Sequence, residues 1–241
     1  MLSQFVLVRL LAVAAVLSAV PSFGAVRKEL AWSQSDGLRD EIYASSFRNG
    51  AWSDPVKLTD DNANKLHPAL AVGPDGSRWV FWSAVAPDSI SIGYTMAAKD
   101  GAWSQPSVMD TKGSSAITPS ALIDSSGTLW LVWAGNDGGQ DEIYCRRWVG
   151  SAWQEPELVN KANEVPDIKP IISQNAQGQI EVRWQGFRSG KYVPLVAVYA
   201  KDHWSAEQQT EAVDNAAQVQ KERQELPEFV PAASQYSLKT F

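Results

Sequence analysis

Gly50-Ala51-Trp52-Ser53-Asp54-Pro55 returns as Gly101-Ala102-Trp103-Ser104-Gln105-Pro106, again as Ser151-Ala152-Trp153-Gln154-Glu155-Pro156, and in shortened form as His203-Trp204-Ser205. The four tryptophans stand 51, 50 and 51 residues apart. A second column, Trp32, Trp82, Trp133 and Trp184, recurs at 50, 51 and 51. A fixed period near 50 residues marks a tandem array in which each repeat is one structural unit.

Working outward from those columns, each unit resolves into four short strand patterns. Pro68-Ala69-Leu70-Ala71-Val72, Pro119-Ser120-Ala121-Leu122-Ile123 and Pro170-Ile171-Ile172 open with a proline, which costs no ladder bond at a strand start. Turns follow at Gly76, Gly127 and Gly178. A second strand ends at each Trp of the second column, and a third carries Ile42-Tyr43, Gly93-Tyr94, Ile143-Tyr144 and a divergent Val198-Tyr199. The quoted Trp-Ser-x-Pro motif begins the fourth. Four strands per unit joined by tight turns predict an all-β chain, a β-propeller of about four four-stranded blades.

The boundaries follow from composition. Arg9 before the apolar run Leu10 to Val20, with Ser22, Gly24 and Ala25 after it, reads as a secretory signal peptide over residues 1–24. The expected location is therefore the periplasm or the exterior, with no integral membrane segment after cleavage. Residues 25–212 hold the propeller, 213–230 a polar helix or linker, and 231–241 a possible closing strand. That closing segment is expected because the first unit has no room for a Pro-led strand of its own, and Val230-Pro231-Ala232-Ala233-Ser234 resembles one.

Charge and residue chemistry exclude several functions. The formal charge is −6, and no Lys/Arg block is present, which argues against nucleic acid or anionic lipid as partner. Cys145 is the single cysteine, so no intrachain disulfide can form. With two histidines and no Gly-x-Ser-x-Gly, a serine triad has little to build on. Asp60, Asn62 and Asn64 begin like a calcium loop, but Lys65 stands where that loop needs Gly. No metal or cofactor is expected.

The two Trp columns read as wedges between neighbouring blades, because an indole buries a large area. Trp79, Trp130 and Trp148 stand outside the columns and are the expected exposed aromatic contacts, Trp79 and Trp130 as ligand-binding residues. Two loops, Ser35 to Glu41 and Asn136 to Glu142, are near copies. Both loops read first as hairpins with a Gly turn; as binding elements, their acids Asp36, Asp40 and Glu41, and Asp137, Asp141 and Glu142, would form two equivalent polar pockets for sugar hydroxyls or a cation. Glu41 with Tyr43 and Glu142 with Tyr144 are i,i+2 pairs that a strand places on one face.

The succession of Pro-led strand, Gly turn, Val-x-Trp strand and Gly-x-Trp-Ser-x-Pro resembles the sialidase-like propeller repeats over residues 30–205. It departs from their Asp-box, because Gly50-Ala51-Trp52 and Gly101-Ala102-Trp103 have one residue fewer between Gly and Trp and lack its aspartate. The resemblance implies a propeller without the family's catalysis. The expectation is an exported, non-catalytic β-propeller that binds a glycan or a cell-envelope protein, with no catalytic residue assigned. Its alternatives are a sialidase-like glycoside hydrolase, using a Tyr nucleophile with a Glu partner and clustered arginines, and a protein-assembly scaffold.

Overall fold

In each repeat the runs of β-branched and aromatic residues form an antiparallel meander. The structure, a computed structural model, describes residues 26–241 except 112 and 114, so the expected leader at 1–24 lies outside the described residues. The second unit runs Asn64–Val72, Arg78–Ala86 and Ser89–Ala97, with a two-residue outer strand Ser107–Val108. In the third, Ser115–Ile123, Leu129–Asn136 and Glu142–Val149 carry outer strands Ala152–Trp153 and Glu157–Leu158. The fourth has Asp167–Gln174, Ile180–Arg188 and Lys191–Ala200, with His203–Trp204 and Gln208–Gln209 outside. Between the inner and second strands the turns close at Gly76, Gly127 and Gly178, whose φ values of 82°, 85° and 78° suit glycine.

The first unit is assembled from both ends of the chain. Lys28–Ser35, Asp40–Arg48, Ala51–Trp52 and Val56–Lys57 come from the N-terminal side. Its inner strand is Tyr236–Thr240, antiparallel to Lys28–Ser35 with Lys28 opposite Thr240 and Trp32 opposite Tyr236. This strand starts five residues beyond Pro231. Pro231 lies instead in a turn, its carbonyl accepting from Ser234 N at 2.9 Å. Between the fourth unit and this strand stands the helix Ala216–Glu225, which buries none of its residues. The inner strands of all four units meet around one small cavity, lined by Pro68, Pro119, Pro170 and Ser237 among others.

The inner strands of units two to four share a bulge. Leu66 pairs with Ser83 and Ala69 with Phe81, so the inner strand spends one extra residue. Ile117 and Ser120 opposite Ala134 and Val132, and Ile168 and Ile171 opposite Gln185 and Arg183, repeat it. At each bulge the residue before the proline, His67, Thr118 or Lys169, takes a φ of 53°, 53° or 56°. Proline disfavours αR at the residue before it, and the bulge holds these three at a positive φ that is uncommon outside glycine.

Cross-strand pairing also corrects one column. Trp32, Trp82, Trp133 and Trp184 pair with Tyr43, Gly93, Tyr144 and Leu195. Tyr94 and Tyr199 are therefore not copies of Tyr43. Trp32 stacks on Tyr43 at 5.7 Å between ring centroids and Trp133 on Tyr144 at 5.8 Å. In unit two the indole itself occupies the space, since a Cβ on Gly93 would lie 2.3 Å from Trp82 Nε1.

Each unit presents its Trp to the unit before it. Trp82 is buried with Ala31 and Ile42 of the first unit, Trp133 with Ala71 and Phe81 of the second, and Trp184 with Val132 and Cys145 of the third. Trp32 has no preceding unit, and Leu30, Val230 and Leu226 enclose it, with Phe229 at 5.6 Å. Trp133 is completely buried. Replacing it with Ala should therefore cost about 3–5 kcal/mol, transfer and cavity terms together, read as the urea midpoint at constant slope. Removing residues 236–241 strips the pairing from Lys28–Ser35. It should lower the melting temperature by several degrees, and an unchanged melting curve would show that the strand adds nothing to the first unit.

Candidate groove-forming sites between units

Two lateral grooves run between neighbouring units, one of about 1070 Å³ between the first and second and one of about 800 Å³ between the third and fourth. They are built from equivalent residues. One wall carries Leu58 and Thr59, or Val159 and Asn160; the other carries Trp103 and Ser104, or Trp204 and Ser205. Every such pair is 101 residues apart in sequence.

The first wall is held to its own unit in the same way each time. Leu58 N donates to Ile42 O at 2.7 Å and Val159 N to Ile143 O at 2.8 Å. The next side chain then turns inward. Thr59 Oγ1 accepts from Ile42 N at 2.9 Å and donates to the Glu41 carboxylate. Asn160 Oδ1 accepts from Ile143 N at 2.9 Å, and its Nδ2 donates to Glu142 at 2.5 Å. Glu41 is fully buried and Glu142 nearly so. Neither is available as a surface contact for a ligand. Glu142 meets donors on both oxygens, whereas Glu41 uses Oε2 for Thr59 and Lys65 and leaves Oε1 without a hydrogen bond, 3.7 Å from the Arg39 guanidinium. In both units the carboxylate anchors the connection to the next unit.

The surroundings of the two glutamates differ. Lys65 Nζ lies 3.5 Å from Glu41 and also bonds Asp61. Glu142 has Asp167 for a neighbour, which accepts from Asn160 Nδ2 at 2.9 Å, Asn163 Nδ2 at 2.8 Å and Trp184 Nε1 at 2.8 Å, and pairs with Arg188 at 3.1 Å. Burial, with the Asp167 charge adding to it, pushes the Glu142 carboxyl above the usual range. The folded state thus binds this proton more tightly than the unfolded chain. That share of stability is complete at low pH and fades as pH rises through the raised value.

The remaining expected site residues separate. Asp36 is exposed and accepts from Leu38 N and Arg39 N at 3.0 and 3.1 Å, bonds that hold its carboxyl below the usual range. Asp40 and Asp141 are half-buried at strand entries, and Asp137 is exposed on its loop. Trp79 and Trp130, expected as exposed contacts, are 5% and 4% exposed. Each sits one strand position out of phase with the Trp column of its unit and so faces the following unit. Trp79 packs on Trp148 and Trp153 at 5.4 and 5.9 Å, and Trp130 on Tyr199 and Trp204 at 4.9 and 6.2 Å. The partly buried tryptophans lining the grooves are Trp103 and Trp204, from the column read as wedges.

Between units two and three the equivalent space is bridged. Arg146 donates from Nε to Gln154 O at 2.5 Å within its own unit and from a terminal nitrogen to Asp110 O of the unit before at 2.6 Å. Pairing with the second strand puts Thr95 at this position in unit two and Ala197 in unit four. A short side chain leaves the groove open, and arginine spans it.

No protein-family model matches the sequence, and no curated protein matches it. Solved structures do. A protein of unknown function from Dyadobacter fermentans is 12% identical with a TM-score of 0.58, over 71% of this chain and 58% of that one. This chain thus spans little more than half of that protein. An endo-arabinase from Bacteroides thetaiotaomicron is 17% identical with a TM-score of 0.51, over 76% and 77% of the two chains. A sialidase from Streptococcus pneumoniae is 15% identical with a TM-score of 0.49, over 67% of this chain and 26% of its own. The likeness to the endo-arabinase places this chain among β-propeller folds.

Truncating Glu142 to Ala leaves the donors of Asn160 and Asn163 unmatched. It should cost about 1–3 kcal/mol at neutral pH, whereas Asp36→Ala and Asp137→Ala should stay within about 0.5 kcal/mol of the parent. Thermal melts of the three variants side by side check this, and equal losses would refute the division between anchoring and surface acids.

Proposed function

We propose that this chain is an exported four-bladed β-propeller that binds a glycan without catalysis, in the two lateral grooves. The observation that carries this reading is their equivalence: Trp103 and Trp204 stand in the same place two units apart, each with a serine beside it. An indole offers a flat apolar face to the C–H side of a sugar ring. Hydroxyl, amide and carboxylate groups around it, such as Ser53, Asp60 and Asp100 in one groove and Asn163 and Glu207 in the other, suit sugar hydroxyls. Two equivalent sites on one rigid disc favour a polymeric ligand, because the second contact forms at a high effective concentration. The leader read at residues 1–24 supports a location in the periplasm or outside the cell, where such polymers are displayed.

The hydrolase alternative would need free carboxylates. Glu142 and Asp167, the buried pair beside the larger-numbered groove, spend their oxygens on Asn160, Asn163, Trp184 and Arg188. All four oxygens of this pair are engaged within the protein, which favours an anchoring role over that of a general acid or nucleophile for these two residues.

Titration calorimetry with an oligosaccharide selected on a glycan array should give two sites per chain. Trp103→Ala and Trp204→Ala should each remove one of them, and the double variant should bind at least tenfold more weakly, about 1.4 kcal/mol. Arg146→Ser should open the bridged space and raise the stoichiometry toward three. Binding untouched by the double substitution would defeat the groove reading. Turnover of aryl glycosides that disappears in Glu142→Gln would replace it with the hydrolase.

A further inference from the structure

A second kind of site lies on the axis of the disc, away from both grooves. On the face formed by the Gly73–Ser77 and Asp124–Thr128 turns, a cavity of about 570 Å³ opens among the inner strands of all four units. Its walls are apolar, with Ala71, Val72, Ala121, Leu122 and Ile123 from two of those strands. Lys239, from the strand that completes the first unit, lines this cavity and also the smaller chamber of about 170 Å³ deeper on the axis. Arg27 and Lys99 add two further cations to the lining.

The acids nearby do not neutralise this lysine. Asp75 Oδ1 accepts from Ser77 N and Oγ at 2.9 and 2.6 Å. Asp124 spends Oδ1 on Ser126 and Thr128 and Oδ2 on Trp130 Nε1 at 2.8 Å. Both carboxylates are turned into their own turns. Glu222, on the helix, acts on Lys239 from a distance, and Lys239 makes no ion pair or hydrogen bond with the described residues. The surrounding walls hold the Lys239 ammonium below the usual lysine range, because its charged form is partly stripped of water. Lys239 itself stays accessible to solvent, and with Arg27 and Lys99 it gives the apolar wall a cationic rim, which an anion with an apolar body would match.

We propose that this axial cavity binds a small carboxylic acid with an apolar body, the carboxylate meeting Lys239 and the body lying against the inner strands. The ligand class follows from the combination: a sugar would waste the apolar wall, and an inorganic anion would leave it wet. Because the cavity shares no lining residue with either groove, the proposal stands or falls apart from glycan binding.

The test uses the full mature chain with benzoate and its neutral counterpart benzamide, followed by ligand-detected NMR and calorimetry. Benzoate should bind with one site per chain, weaken as salt is raised, and outbind benzamide at least tenfold. Lys239→Met should abolish the preference for benzoate while Lys239→Arg keeps it, and both should retain the parent's melting temperature within a few degrees. Equal binding of the two probes by the parent protein, or a preference that survives in Lys239→Met, would overturn the assignment. Absence of benzoate binding by the parent at millimolar concentration would overturn it as well.

Discussion

An indole on one face of each second strand has to be covered, and that need orders the whole molecule. A tryptophan side chain buries on the order of 200 Å² when fully enclosed, and no single four-stranded unit can enclose its own. Each unit therefore covers the Trp of the unit that follows. The array ends where this exchange ends. In unit three the face turned toward unit four carries Trp130, Val132 and Ala134; at the same positions unit four carries Glu181, Arg183 and Gln185. A polar outer face on the last repeat stops further stacking. At the other end, the tail segment around Phe229 and Val230 covers Trp32.

The same exchange explains why the grooves are where they are. The outer strands are only two residues long, and both grooves are lined from them and from the segments beside them. What fills the wedge-shaped space is decided by single side chains. Thr95 and Ala197 leave it open, and Arg146 bridges it with backbone carbonyls as acceptors. A repeat protein can thus vary its binding surface without disturbing its core, since the position lies at the boundary between the two.

Much of the architecture was legible in the sequence because it is periodic. The Trp columns, the Pro-led inner strands and the Gly turns are local signals repeated at one spacing. What was not legible depends on partners far along the chain. Glu41 and Glu142 look like exposed loop acids until Thr59 and Asn160, eighteen residues on, are seen to bond them. Trp79 and Trp130 lack a column of their own, yet strand alternation turns them into the next interface. In unit two a glycine, Gly93, stands where units one and three have a tyrosine, and the neighbouring Tyr94 imitates that column one position late. Likewise Pro231 imitates an inner-strand opening, while the ladder that selects Tyr236–Thr240 is written mostly in residues 28–32.

That ladder joins residues more than two hundred positions apart, and it imposes an order on folding. Units two, three and four can be added in turn, each once its own fifty residues and the unit before it are available, since their contacts are local or reach one neighbour. The first unit, though made first, stays a partial sheet until the last residues arrive. Its inner edge can close only by a long-range pairing, the slow kind in which chain entropy is lost before contacts compensate. A growing chain would therefore carry an incomplete N-terminal sheet until residues 236–240 emerge. Completion of that sheet reports, in effect, that every repeat between its two halves has already been made.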